Sequence, residues 1–134
     1  MRRRNKSPQV SDRTTGRYAY EGLHRAIHEK ARLGIMTSLV THSDGLSFND
    51  LKDLCGLTDG NLSRHLDVLR EAALIAVKKD QGALRRQTVC RVTPRGKEEF
   101  VAYLAELERV VADAAQGAHL ADGAPAKSKG WSVA

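Results

Sequence analysis

No run of roughly 18 or more apolar residues occurs in this chain, so no segment is expected to cross a membrane as a helix. Cysteine is scarce. Cys55 and Cys90 are the only two in 134 residues, too few for the dense pattern of a small secreted scaffold, and a reduced, cytoplasmic setting is the simplest expectation. The opening segment "MRRRNKSPQVSDRTT" is basic but has no apolar stretch behind it, so it is not expected to act as a secretory signal. Glycine forms no phosphate-binding loop, because "TDG" and "DQG" lack the lysine–serine pattern. A nucleophile–base set is also missing: Ser63 and His65 point apart on a helix, and no other pairing suggests catalysis. No enzyme activity, cofactor or internal repeat is therefore expected, and the length fits one domain.

The chain carries a net charge of +6, and where that charge sits matters more than its sum. Residues 1–17 hold Arg2, Arg3, Arg4, Lys6, Arg13 and Arg17 against Asp12, while residues 116–134 add Lys127 and Lys129 against Asp122. The body between them is neutral, so it cannot bind a polyanion through bulk charge. Its charges are segregated, however. From Ile75 to Lys97, seven basic residues (Lys78, Lys79, Arg85, Arg86, Arg91, Arg95 and Lys97) face only Asp80. From Glu98 to Asp113 the balance reverses, with four Glu and one Asp against Arg109.

Hydrophobic periodicity divides the chain into an ordered body, residues 18–115, between a disordered basic arm, 1–17, and a disordered Ala/Gly/Lys/Ser-rich tail, 116–134, that holds the single Trp131. A helical pattern begins near Tyr18, with Tyr20, Leu23 and Ile27 on one face, and continues or restarts through "HEKARLGIMTSLV". "THSDG" stops it. "LSFNDLKDLCG" predicts a short extended segment, Ser47 as N-cap, and a two-turn helix with Phe48, Leu51 and Leu54 inward, ended by Gly56. Thr58 then caps a helix running to about Ala73, with Leu62, Leu66 and Leu69 on its buried stripe and Asp59 at its positive end. The period changes to two in "IAVKKDQGALRRQTVCRV", which predicts a β-hairpin with a basic, glycine-containing tip. Thr93-Pro94 starts a last helix in which Phe100, Leu104, Leu107 and Val111 form an apolar seam.

Two short helices joined at a glycine corner and followed by a basic hairpin give the order helix–turn–helix–wing. Residues 28–110 resemble the winged-helix transcriptional regulators of the MarR and ArsR type, in particular the small stand-alone winged helix DNA-binding domain regulators of bacteria and archaea. The segments that carry the resemblance are "HEKARLGIM", "LSFNDLKDLCGLTDGNLSRHLDVLREAALI", "KKDQGALRRQTVCRVT" and "TPRGKEEF". The implied fold is mostly α (α+β), a winged helix-turn-helix with a β-hairpin wing and added terminal helices for dimerisation. The implied activity is transcriptional regulation, most often repression, by sequence-specific binding of double-stranded DNA.

The resemblance makes the helix from Thr58 the recognition helix. With the three leucines buried, Gly60, Arg64, Asp67 and Glu71 face away from the core, and Asn61 and Ser63 flank them near the helix N-terminus. Arg64 suits a bidentate contact with guanine and Asn61 one with adenine, while Thr58 and Ser63 suit phosphate or base edges. Gly60 lets backbone N–H groups approach a phosphate, or else it relaxes a crowded corner. Asp67 and Glu71 are expected to point out of the groove. Lys78, Lys79, Arg85 and Arg86 are the expected wing contacts, to phosphate or within the minor groove, unless the hairpin tip is merely solvated.

Tyr20, Leu23 and Ile27, together with Phe100, Leu104, Leu107 and Val111, form two apolar faces that a small core cannot bury, so a homodimer on a pseudo-palindromic operator is expected. The alternative is that the two terminal helices pack on each other within one chain. His24 and His28 lie four apart with Glu29 nearby, but the cysteine-rich motif of ArsR-type metal sensors is absent, and no metal site is assigned. A small-molecule effector remains open, with no residue set to identify it. A winged-helix module that binds protein rather than DNA is the rival reading, kept alive by the neutral body and the acidic last helix.

Overall fold

In the computed structural model, residues 16–80 and 87–121 are described. The elements run α1 (Lys30–Thr41), β1 (Leu46–Ser47), α2 (Phe48–Cys55), α3 (Asp59–Glu71), β2 (Ile75–Asp80), β3 (Gln87–Val92) and α4 (Pro94–Ala121). The three strands form one antiparallel sheet in the order β1–β3–β2. Leu46 pairs with Cys90 across β1 and β3, and Val77 pairs with the same Cys90 from β2. The helices pack around a single core that buries Ile35, Met36 and Leu39 of α1, Leu51 of α2, Leu62, Leu66 and Leu69 of α3, and Phe100 and Tyr103 of α4. This is the α+β winged helix-turn-helix arrangement that the element order implied.

The helix–turn–helix forms for local reasons. Ser47 caps α2 by accepting the Asp50 N–H, and Gly56 ends it in the left-handed region at φ 63°, where glycine avoids a Cβ clash. Two residues later Thr58 caps α3, its hydroxyl accepting the Asn61 N–H at 3.2 Å. Leu54 departs from expectation. It is exposed, because Cys55, four residues after Leu51, takes the inward position against the core. α3 also stops short of Ala73, which turns to φ 64° and sends the chain into β2.

The N-terminal segment corrects the sequence reading more substantially. Residues 17–29 are turns, not a helix, and helix begins only at Lys30, where the Glu29 carboxylate accepts the Arg32 N–H. Groups on α4 compete for the donors that a helix would use. The Gly22 N–H goes to the Glu106 carboxylate at 3.1 Å, the Tyr20 hydroxyl donates to Asp113 at 2.7 Å, and Tyr20 itself sits at φ 51°. The segment is thus strapped along α4, as in the intrachain alternative. Ile27 and Phe100 are buried in the chain's own core, and Leu23 and Leu107 pack partly against it. Ile27 and Phe100 therefore have no surface left for a second copy, contrary to the expected interface.

α4 is also longer than expected, running through Gln116 and Gly117 to Ala121 rather than stopping at 115, so the predicted disordered tail loses its first residues to helix. Its first turn is tied to the end of α3. Thr93 donates its N–H to the Leu74 carbonyl and its hydroxyl to the Ala73 carbonyl, while that hydroxyl accepts the Gly96 N–H at 2.9 Å. Gly96 is buried here, and a residue with a Cβ would run into the Leu74 carbonyl and the Val92 side chain. Gly96→Ala should lower stability by about 2 kcal/mol or more, since the obstacle is backbone that cannot rotate away. Urea unfolding of the variant checks this, and an unchanged midpoint would contradict the packing described.

Candidate nucleic-acid interface

α3 is anchored on one side and open on the other. Leu62, His65, Leu66 and Leu69 are buried, whereas Gly60, Asn61, Ser63 and Arg64 are exposed. At about 100° per residue, Gly60 and Arg64 form the outward crest of the first two turns, with Ser63 on one flank and Asn61 on the other. Arg64 donates from Nη2 to Asn61 Oδ1 at 2.8 Å, so these two side chains are linked. The helix start is held in place by Lys52, whose ammonium bonds Asp59 at 2.9 Å, and that bond raises the lysine pKa above its ordinary value. Among the described residues, and apart from the helix's own backbone and the two chain neighbours, nothing lies within 4 Å of a Cβ at Gly60, so crowding by another element does not explain the glycine.

Between α3 and the hairpin runs a groove of about 280 Å³, lined from α3 by Ser63, Asp67 and Arg70 and from the strands by Lys79 and Thr88. Strand alternation decides which lysine takes part. Val77 and Lys79 share the face that looks toward α3, while Lys78 falls on the other face with Ala76, whose cross-strand partner is Arg91. Lys78 is thus separated from the recognition face that was expected to include it. Arg85 and Arg86 lie outside the described residues. Asp67 lines this cleft of the protein, with Arg70 Nη2 at 3.3 Å offsetting its charge, while Glu71 is exposed at the far end of the helix. Arg70 and Thr88 were missed by the sequence reading. Their helical and strand periods placed them correctly, but only the packing of the sheet on α3 brings them together.

His65 was missed as well, although it lies three residues after Leu62 and four before Leu69, on the core stripe. It is 6% exposed. Arg32 Nη1 donates to its Nδ1 at 3.2 Å, and Arg32 Nε donates to the Ala26 carbonyl at 2.7 Å, so the N-terminal segment, α1 and α3 meet at one guanidinium. Burial, with Arg64 and Arg32 adding to it and Glu29 at 3.9 Å opposing, lowers the imidazole pKa below its ordinary value. His24 and His28 are engaged elsewhere, His24 Nδ1 accepting the Ala26 N–H and His28 Nδ1 lying 2.8 Å from the Tyr103 hydroxyl. Cys90 is buried in the sheet, and burial pushes its thiol up to about 11, which leaves little reactive thiolate. Among the described residues no group of three or more His, Cys, Asp or Glu is placed to hold a metal ion, and no helix is long and apolar enough to cross a membrane.

A family model for the winged helix DNA-binding domain matches residues 31–111. An uncharacterized protein of Methanocaldococcus jannaschii is 38% identical over 60 residues, which is 45% of this chain and 65% of that protein, so slightly less than two thirds of the relative is represented. Among solved structures, a transcriptional regulator homologue from Pyrococcus horikoshii is 32% identical, with a TM-score of 0.62 over 66% of this chain and 86% of its own. A possible transcriptional regulator for arsenical resistance is 28% identical, with a TM-score of 0.51 over 69% of this chain and 95% of its own.

The His65 environment has a consequence for stability. Because the folded imidazole binds its proton less readily than the ordinary value of 6.5 implies, the unfolded chain takes up a proton that the folded protein refuses. Stability should therefore fall as pH drops through about 6.5 toward the lower folded value. The Glu29 carboxyl, held below its ordinary 4.5 chiefly by the Arg32 backbone N–H, loses its own contribution at still lower pH. Urea midpoints measured from about pH 7.5 down to about pH 5 should decline, and His65→Gln should flatten that decline. A wild-type midpoint that does not move over this range would rule the environment out.

Proposed function

The chain belongs to the winged helix DNA-binding domain family, and on that premise we propose that it binds double-stranded DNA and regulates transcription. The observation that carries the reading is the crest of α3. Gly60, Asn61, Ser63 and Arg64 stand exposed at the helix N-terminus, on a stripe opposite three buried leucines, beside a groove shared with Lys79 and Thr88. In helix–turn–helix proteins the N-terminal part of the second helix contacts base edges, and its backbone N–H groups favour phosphate. Arg64 and Asn61 are the proposed base-contacting residues. Ser63, Thr88 and Lys79 are the proposed contacts to the sugar–phosphate rail. The Thr58 hydroxyl is occupied as a helix cap through its oxygen, which leaves its hydrogen for a phosphate.

We further propose that the protein acts as a homodimer on a pseudo-palindromic operator and represses by occupying it. The support is on α4, where Val101, Leu104 and Val111 are 61%, 41% and 62% exposed on one side of the helix. These three positions fall within about 80° of arc, with the exposed Glu108 among them, and leave an apolar edge of the kind that pairs with a second helix. Tyr20, held to Asp113, borders α4 near the Val111 end. Twofold pairing would set two recognition helices about 34 Å apart, matching one turn of DNA.

Two measurements test these proposals. Gly60→Ala should stabilise α3 by up to about 1 kcal/mol, because alanine is the better helix former and the site has room for it. The same change should weaken binding of duplex DNA, since the new methyl stands where the phosphate approaches. A raised melting temperature with unaltered affinity, read by fluorescence anisotropy, would contradict the docking. The double variant Leu104→Glu, Val111→Glu should sediment as a monomer where the unmodified protein sediments as a dimer. Equal sedimentation of the two proteins would remove α4 as the interface.

A further inference from the structure

Asn61 and Arg64 were read above as two independent base contacts, one for adenine and one for guanine. The hydrogen bond between them points to a different division of labour. An amide that recognises adenine needs its oxygen to accept from N6 and its nitrogen to donate to N7 at once. In this protein the Asn61 Oδ1 already accepts from Arg64 Nη2 at 2.8 Å. That bond takes one of the oxygen's two lone pairs and ties the orientation of the amide to the guanidinium rather than to an adenine.

Arg64 keeps its recognition capacity in the same arrangement. Its Nη2 carries two hydrogens, one on the edge shared with Nη1 and one on the edge shared with Nε. Whichever of these goes to Asn61, the other remains beside a neighbouring N–H as a complete two-pronged donor. That fork matches the paired O6 and N7 acceptors of guanine and is mismatched to adenine, which presents one acceptor and one donor. The bond also restrains a long side chain. An arginine otherwise free on an exposed helix would lose more rotamer freedom on binding. Both residues stand on a stretch of α3 that is fixed from below, with Leu62 buried between them in sequence and the Asn61 backbone N–H held by Thr58.

We infer that Asn61 and Arg64 act as one reading unit that selects a G·C pair: Arg64 grips guanine, and Asn61 positions the guanidinium through the bond to its Oδ1, its amide hydrogens staying free for an acceptor, such as guanine O6 or thymine O4, on the adjacent pair. The inference rests on the DNA-binding reading above and adds to it which base is selected and by which atoms. Asn61 thereby becomes a positioning and specificity residue, not an adenine reader.

Binding-site selection from a pool of random duplexes tests this, using the full chain and the variants Arg64→Ala, Asn61→Ala and Asn61→Asp. Both positions are exposed, so the variants should fold, which circular dichroism checks. The unmodified protein should enrich a guanine at one position of each half-site, and Arg64→Ala should erase it. Asn61→Ala should weaken the same guanine preference by roughly three- to tenfold, a part of the discrimination that a bidentate contact supplies. Asn61→Asp keeps the acceptor for Arg64, so it should retain the guanine preference while lowering affinity for all duplexes through charge repulsion. If Asn61→Ala instead abolishes an adenine at a different position and leaves the guanine untouched, or changes nothing, the paired reading is wrong and DNA binding stands. If the unmodified protein enriches no motif and binds no duplex, the DNA-binding reading itself has failed.

Discussion

Leu62, Leu66 and Leu69 form one stripe of α3, and their burial is the constraint on which the geometry of the site depends. Each leucine contributes about 1.5–3 kcal/mol when removed from water, so rotating the helix about its axis would expose several kcal/mol of apolar surface. That penalty fixes the azimuth of the helix. Gly60, Asn61, Ser63 and Arg64 then point outward by exclusion, with no interaction of their own needed to hold them there. The Thr58 cap and the Lys52–Asp59 ion pair set where the helix starts, and so how far its N-terminal turn projects.

The wing and the last helix are tied to this helix through backbone atoms rather than long side chains. Thr93 bonds the carbonyls of both Ala73 and Leu74, and Gly96 allows α4 to cross the Leu74 carbonyl at close range. β3 leads directly into that junction, and β2 leads out of it. α4 is thereby joined to the base of the hairpin and to the C-terminal end of α3. On the opposite side, Arg32 joins the Ala26 carbonyl to His65 and braces the underside of α3 against α1. The buried imidazole there has an apolar residue's place in the helix pattern and a polar residue's need for a partner.

Much of this was legible before the structure. The glycine at 56, the caps at Ser47 and Thr58, the leucine stripe, the period-two hairpin and the Thr-Pro helix start each depend on interactions within a few residues, and each was placed correctly. The misplaced features share the opposite character. Tyr20 to Ile27 has a helical pattern, yet Glu106 and Asp113, more than eighty positions away, claim the groups of Gly22 and Tyr20. Lys78 and Lys79 fall on opposite faces by strand alternation, but only the packing of the sheet on α3 decides which of the two stands beside that helix. The apolar faces proposed for a partner looked alike, but Ile27 and Phe100 turned inward while Leu104 and Val111 stayed out.

The sequence by itself determined the order helix–turn–helix–wing and which face of α3 is buried, because periodicity, capping and turn chemistry act over one or two helical turns. Tertiary structure alone decided that Ser63, Arg70, Lys79 and Thr88 line one groove, and that the N-terminal segment serves as a strap on α4. Those outcomes depend on which distant groups compete for the same donors, acceptors and apolar surface, and that competition is resolved only when the whole chain has packed.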